Sequence, residues 1–212
     1  RVTFDQTAED DKVRQFLIER NVSMDLKRRV MHLLRQERKR KRMMMKMEDV
    51  RKFSLLSPTM MRKLHWEMYE PILTSHPLLY HFDNEFRSFF TELCHAAVSE
   101  LGILPGHEMF QYGMKAEFMY FVANGEMEYK PVDTALYIRP AMEICPGRWV
   151  CEMPLWMDWI HQGTFRAVEP TMVVRLDAEG FRRSVKARPA ELSTCQKYAV
   201  LFEERLVADR LL

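Results

Sequence analysis

No run of about 18 apolar residues occurs in the 212-residue chain, so no segment qualifies as a membrane-spanning helix. No secretory signal is visible either. The four cysteines, Cys94, Cys145, Cys151 and Cys195, form no CxxC pair, and the seven histidines show no paired metal spacing, which argues against zinc. Free thiols fit a reducing cytosol better than a secreted disulfide scaffold. Neither sign of charge dominates: 32 Lys and Arg against 30 Asp and Glu leave +2, too little to argue for a nucleic-acid partner. There is no GxSxG, no P-loop, no HExxH and no paired catalytic carboxylates, so the chain is not expected to be an enzyme. It begins at Arg1 rather than Met, which implies a piece excised from something larger.

Apolar residues make up 47% of the chain, enough to fill a core in one large domain or two small ones. The organising stretch is Ile103 to Tyr129, which alternates apolar and polar residues at the strand period. Pro105-Gly106 predicts a turn. Met109 and Phe110 open a second strand that Gly113 closes. Phe118 to Ala123 reads as a third, and Asn124-Gly125 predicts a type I′ hairpin into Met127 and Tyr129. Such a succession is the start of a small antiparallel barrel or jelly roll.

The preceding residues read as short amphipathic helices that cannot bury their faces alone. One covers 8–20, with Val13, Phe16 and Leu17 on one stripe. Ser23 caps a second from Met24 to about Met47, carrying Leu26, Val30, Leu33 and Leu34. Its basic run from Arg35 to Arg42 is either a solvated helix end or a contact for anionic lipid or an acidic partner. Met47 to Leu56 is a short helix. Ser57-Pro58 starts another that runs to about Met68, with Pro71 ending the pattern. Ile72 to Leu79 makes a broken helical piece. Asp83 or Asn84 caps a helix through Cys94 that buries Phe86, Phe89, Phe90 and Leu93. Beyond Tyr129, strands are expected at 135–138, 141–144 and 168–176. Helices follow at 181–185 and 190–212, the last with Tyr198, Leu201, Phe202 and Leu206 on one side.

Pro105-Gly106, Gly113, Met119-Tyr120-Phe121-Val122 and Gly125, in that order, resemble the first half of a cyclic-nucleotide-binding domain. An unrelated jelly roll such as a cupin is the alternative on this stretch alone. The helical half has its own resemblance. Arg20, Val22-Ser23, Lys27-Arg28-Arg29 and Leu33-Leu34, continued by VRKFSLLSPTMMRKL, resemble the C-linker of hyperpolarisation-activated, cyclic-nucleotide-gated and ether-à-go-go cation channels. Together the two resemblances imply an α+β chain: a helical C-linker at 1–82, then an eight-stranded, jelly-roll-like antiparallel β-roll with C-terminal helices at 83–212. They imply the gating module of a tetrameric channel on the cytoplasmic side of a membrane, joined to a membrane domain of the same chain. They also imply homotetramer contacts through Val13, Phe16, Leu17, Leu26 and Val30. A soluble cyclic-nucleotide sensor regulating a kinase or scaffold is the second reading.

The resemblance further implies a phosphate cassette between Gly147 and Val168, usually Gly-x-Tyr-Phe-Gly-Glu, a short helix and Arg-x-Ala. A small residue there lets helix-start N–H groups approach the phosphate, Glu takes the ribose hydroxyl and Arg clamps the phosphate. Gly147 and Glu152 match, Trp149 replaces Tyr, and Met153 follows. Cys151 stands where the family has Gly. The Arg-x-Ala position falls on His161-Gln162-Gly163, with Arg166 within reach only if the loop shifts. His161 is either a partial substitute for the arginine, when protonated, or an exposed loop histidine. Glu152 is either a ribose ligand or a helix cap. Met142 and Ile144 either flank a purine or fill the core, and Phe202 sits on the lid helix. Trp156, Met157, Trp159 and Ile160 either pack under that helix or plug the pocket. With Cys151 and His161 both departing from the pattern, cAMP or cGMP is expected to bind weakly or not at all.

Overall fold

The computed structural model describes residues 12–20, 22–43, 50–132 and 140–210. The strand expected at 135–138 and the helix residues expected at 8–11 and 44–47 lie outside the described residues. The chain divides into two compact units, Arg1–Met45 and Lys46–Leu212.

The first unit holds helix α1 at residues 12–19 and helix α2, Met24–Met43. Ser23 starts α2 as expected: its Oγ accepts from the Leu26 N–H at 3.4 Å. Val13, Leu17 and Val30 are half-buried, while Phe16 and Leu26 are more than half exposed.

The second unit opens with a 3₁₀ turn, Arg51–Leu55, followed by α3 (Pro58–Leu73), α4 (Pro77–Glu85) and α5 (Arg87–Ala96). Pro58 takes the first helical position and Ser57 Oγ accepts from the Met60 N–H. α3 does not stop at Met68 but runs through Pro71. Pro71 is exposed, whereas Tyr69 and Leu73 on either side are buried, so core packing of the last turn outweighs the missing N–H bond. Nor do Asp83 and Asn84 cap α5. They close α4, and Asp83 is buried, accepting from Trp66 Nε1 at 2.9 Å and Arg87 Nη2 at 3.0 Å. A carboxylate that serves α3 and α5 at once is a tie between helices rather than a local cap.

Eight strands follow among the described residues: β1 (Val98–Ile103), β2 (Glu108–Phe110), β3 (Phe118–Asn124), β4 (Met127–Pro131), β5 (Met142–Ile144), β6 (Trp149–Val150), β7 (Gly163–Ala167) and β8 (Thr171–Asp177). They form two antiparallel sheets, ordered β1-β8-β3-β6 and β2-β7-β4-β5. The expected strand at 168–176 begins only at Thr171, because Val168 to Pro170 make the turn from β7. Helices α6 (Ala178–Lys186) and α7 (Pro189–Arg210) close the chain. The α+β class with an antiparallel roll is therefore as expected.

Strand β3 shows why two cores exist. Met119 and Phe121 point to one side, into a core shared with Leu73, Leu79, Phe82, Phe89, Phe90 and Leu93 of the helices. Tyr120 and Val122 point to the other, into the space between the sheets with Phe110, Met127, Phe165 and Val173. At a period of two, burial on both faces reads as one continuous apolar run, as Met119–Val122 does. α3 and α4 share the first core with the roll.

Asn124-Gly125 is not a two-residue hairpin. β3 and β4 belong to different sheets, and the dipeptide is the corner between them. Among described non-glycine residues only Cys151 has positive φ, so Asn124 lacks the conformation a type I′ turn requires. Its Oδ1 instead accepts from the Met172 N–H at 3.0 Å. Gly125 has φ +82°, and a Cβ there would stand 2.5 Å from Thr171 Oγ1 and 2.8 Å from the Pro170 carbonyl oxygen. Gly125→Ala should therefore cost roughly 2–4 kcal/mol, strain plus overpacking. Gly106→Ala, at φ +77° with no atom within 4 Å of the added Cβ, should cost only the backbone strain, about 1–2 kcal/mol. Urea unfolding of the two variants measures the difference; equal losses would show that the corner is not tightly packed.

Candidate functional site

The segment between β6 and β7 crosses from one sheet to the other. Ahead of it, Gly147 turns the chain into β6, at φ +81° with its N–H donating to the Val122 carbonyl. Trp149 and Val150 then pair with Phe121 and Tyr120 of β3. At Cys151 the backbone takes φ +63°, the left-handed region that favours glycine. A Cβ is tolerated here at a cost of about 1–2 kcal/mol. Glu152 leads into a 3₁₀ turn, Met153–Leu155, held by the Met153 carbonyl accepting from the Trp156 and Met157 N–H groups.

Beyond that turn the chain lies antiparallel to 113–116. The Ala116 N–H donates to Trp159 O, the His161 N–H to Met114 O, and the Gly113 N–H to His161 O. This pairing carries His161 inward. The residue is 3% exposed, so it is not an exposed loop histidine. Its ring stacks on Phe110 with centroids 3.5 Å apart and planes 8° from parallel. Phe110 is stacked in turn on Phe165, and Tyr120 lies beside both. The Cys151 Sγ sits 3.5 Å from His161 Nδ1. Cys151 and His161 are thus brought together from ten residues apart in sequence, against the aromatic core of the roll.

Their environment sets their charge. Burial pushes the Cys151 thiol up to about 12. Burial pulls the His161 imidazole down to about 4. Near neutral pH both are uncharged. His161 therefore does not supply the positive charge that a missing arginine would have given. Arg166 does not supply it either: on β7 it is exposed on the outer side, paired with Glu128 of β4 at 3.0 Å.

Glu152 faces another way. Its Oε2 lies 3.1 Å from Nε2 of His76, and its Oε1 accepts from Trp156 Nε1 at 3.2 Å. It makes no side-chain capping bond to the 3₁₀ turn. His76, at the junction of α3 and α4, is completely buried, with Trp149 edge-on at 5.0 Å and the Tyr198 hydroxyl 3.3 Å from Nε2. Burial first, then the Glu152 carboxylate, raises the Tyr198 phenol. Sequence reading had no signal for His76 beyond the His-Pro break, because nothing local says that a helix junction will be buried under a strand and a distant helix.

The remaining expected residues scatter. Met142 on β5 is 47% exposed and is not a core residue, while Ile144 is half-buried against the core between the sheets. Gln162 is exposed, donating to the Ile160 carbonyl. Phe202 on α7 is half-buried, 6.4 Å from the Trp156 ring, which also meets Phe181 and Tyr198. Trp156 thus packs under α7, and Ile160 is more than half exposed, so neither fills the interior of the roll. On α7 the inward residues are Leu192, Cys195, Tyr198 and Phe202. Leu201, expected among them, is 64% exposed.

Two solved structures show similarity to this chain. One is the N-terminal domain of a transcriptional regulator from Streptomyces coelicolor A3(2), 16% identical, with a TM-score of 0.50, covering 66% of this chain and 95% of that one. Another is a cyclic nucleotide-binding-like protein from Brucella abortus bv. 1 str. 9-941, 23% identical, with a TM-score of 0.46, covering 55% of this chain and 96% of that one. At 16% identity the likeness to the regulator's N-terminal domain is one of fold alone. No protein-family model and no curated protein matches the chain. No described helix is long and apolar enough to cross a membrane.

The buried imidazole makes stability depend on pH. His161 ionises near 6.5 when unfolded and near 4 when folded, so between these values the unfolded chain holds more protons. The contribution is complete above about pH 6.5 and falls away as the pH drops toward 4. His65 is lowered as well and acts in the same direction. Urea unfolding at about pH 7 and about pH 4.5 should therefore show a larger loss for the wild type than for His161→Gln. Equal losses would mean that His161 is not held neutral.

Proposed function

We propose that the chain is a regulatory module with the cyclic-nucleotide-binding fold whose nucleotide site is occupied by its own side chains. The carrying observation is the stack of His161 on Phe110 with the Cys151 thiol 3.5 Å away. At the two positions where the resemblance expects a close backbone approach and an arginine clamp, the chain has a thiol and an uncharged imidazole. Each charge-assisted bond to a phosphate oxygen is worth roughly 1.5–3 kcal/mol, so the loss of an arginine fork removes much of the affinity for a cyclic phosphate. The carboxylate that would hold the ribose is engaged by His76 and Trp156.

The finer reading is the cytoplasmic gating module of a tetrameric voltage-gated-like cation channel. Its support is the C-linker pattern through Arg20, Val22-Ser23, Lys27-Arg28-Arg29 and Leu33-Leu34. In this reading Val13, Phe16, Leu17, Leu26 and Val30 meet a second copy, and the chain's own membrane domain supplies the anchorage. The same roll fits a soluble sensor that regulates a kinase or scaffold. Six apolar segments with a pore loop ahead of Arg1 in the gene would decide for the channel.

Calorimetric titration with cAMP and cGMP tests the site. The wild type should be silent at micromolar nucleotide. Binding at micromolar or better affinity overturns the closed-site reading. If Cys151→Gly plus His161→Arg binds and the wild type does not, these two side chains are the cause. If neither binds, Phe110 and its stacked neighbours are the obstruction. Assembly is tested separately by light scattering at high concentration. Mass above the monomer that Phe16→Asp abolishes supports the second-copy contact. Monomer throughout, with solubility unchanged by Phe16→Asp, counts against it.

A further inference from the structure

Away from the cassette, α3 and α5 pack side by side, and each turns one histidine toward the other. His65 on α3 is half-buried and His95 on α5 is exposed. Their Nδ1 atoms are 2.9 Å apart, with ring centroids 4.8 Å apart and planes 40° from parallel. We propose that His65 and His95 form a two-histidine site for a divalent transition cation of the nickel(II) or copper(II) type, which clamps α3 to α5.

The separation is that of an N–H···N hydrogen bond, and a chelated ion of matching span fits it as well. Metal–imidazole bonds are about 2.0–2.1 Å long, and two of them at a right angle span about 2.9 Å. At the tetrahedral angle they span about 3.4 Å. A separation of 2.9 Å thus matches neighbouring positions of a square-planar or octahedral ion, the geometries of copper(II) and nickel(II), rather than tetrahedral zinc. No group of three or more His, Cys, Asp or Glu suited to a metal occurs among the described residues, so water would complete the shell. An open, partly aquated shell suits the same two ions. His95, on the exposed side, gives the ion its entry.

The scaffold has already brought the rings together. α3 and α5 are fixed by Tyr69, Leu73, Phe89, Phe90 and Leu93 in the helical core, and Tyr69 lies 5.7 Å from the His65 ring. Little ordering remains for the ion to impose. Without metal, one Nδ1 carries the proton that the other accepts. As ligands both Nδ1 atoms are bare, each ring's proton sits on Nε2, and no net proton is released. The site depends on neither the nucleotide reading nor the channel reading.

The test is thermal unfolding of the chain, free of any histidine tag, with and without about 1 mM nickel chloride. Nickel should raise the wild-type midpoint by about 5 °C, the shift for a ligand near 100 times its Kd acting on a chain of this size. His65→Gln and His95→Gln should each lose most of that rise, and His81→Gln, at an exposed histidine on α4, should keep it. Each variant is compared with its own metal-free midpoint, which also reports whether it folds. No rise in the wild type overturns the site, as does a rise that persists in both single variants. An independent arm needs no variant: copper(II) bound to the wild type should give a tetragonal EPR signal with nitrogen splitting. An all-oxygen signal overturns the proposal.

Discussion

The second compact unit is knitted together by one buried contact, that of His76 with Glu152. His76 comes from the α3–α4 junction, Glu152 from the segment between the sheets, Trp149 from β6 and Tyr198 from α7, and all four meet within hydrogen-bond or ring contact. A carboxylate removed from water needs partners for its oxygens, and here a different part of the chain supplies each. His76 Nδ1 has no partner among the described residues, so the imidazole is held by one nitrogen and by packing. The arrangement couples helices that precede the roll to the helix that ends it, without passing through the space between the sheets. Breaking one partner of such a buried pair leaves the other uncompensated, which makes the contact a joint rather than an ornament.

The interior of the roll follows a different logic. Phe110, Phe165 and His161 fill it by stacking, with Tyr120 tilted against the two phenylalanines, and Cys151 closes one side. Low polarity keeps the thiol and the imidazole uncharged, and their being uncharged lets them stay buried. An interior of this kind is favourable as a core and poor as an anion site. The glycines that survive from the resemblance serve turns: Gly106, Gly113, Gly125 and Gly147 all have positive φ. Turn glycines maintain the path of the chain, and phosphate chemistry needs a charge as well. Fold and ligand are therefore separable here. The roll keeps its shape, and its core contacts with α3, α4 and α7, with no charged group in this interior.

What the sequence by itself determined is whatever depends on neighbours along the chain. Ser23 and Ser57 capping their helices, the period-two stretch at 103–129, the positive-φ glycine turns and the antiparallel roll were legible because caps, turns and alternation are local chemistry. Cys151 and His161 stood out in the sequence only against the resemblance. Only the tertiary structure decided what those residues do. It ran α3 through Pro71 because Tyr69 and Leu73 had a core to fill, and it turned Asn124-Gly125 from a hairpin into a corner between sheets. It drew Asp83 away from a cap to bind Trp66 and Arg87, and it aimed Glu152 at His76, 76 residues earlier in the chain. It also set His161 against Phe110, 51 residues before it, and so left the imidazole uncharged. Charge state and hydrogen-bond partner depend on burial and on atoms from distant segments, and no pattern of near neighbours carries that information.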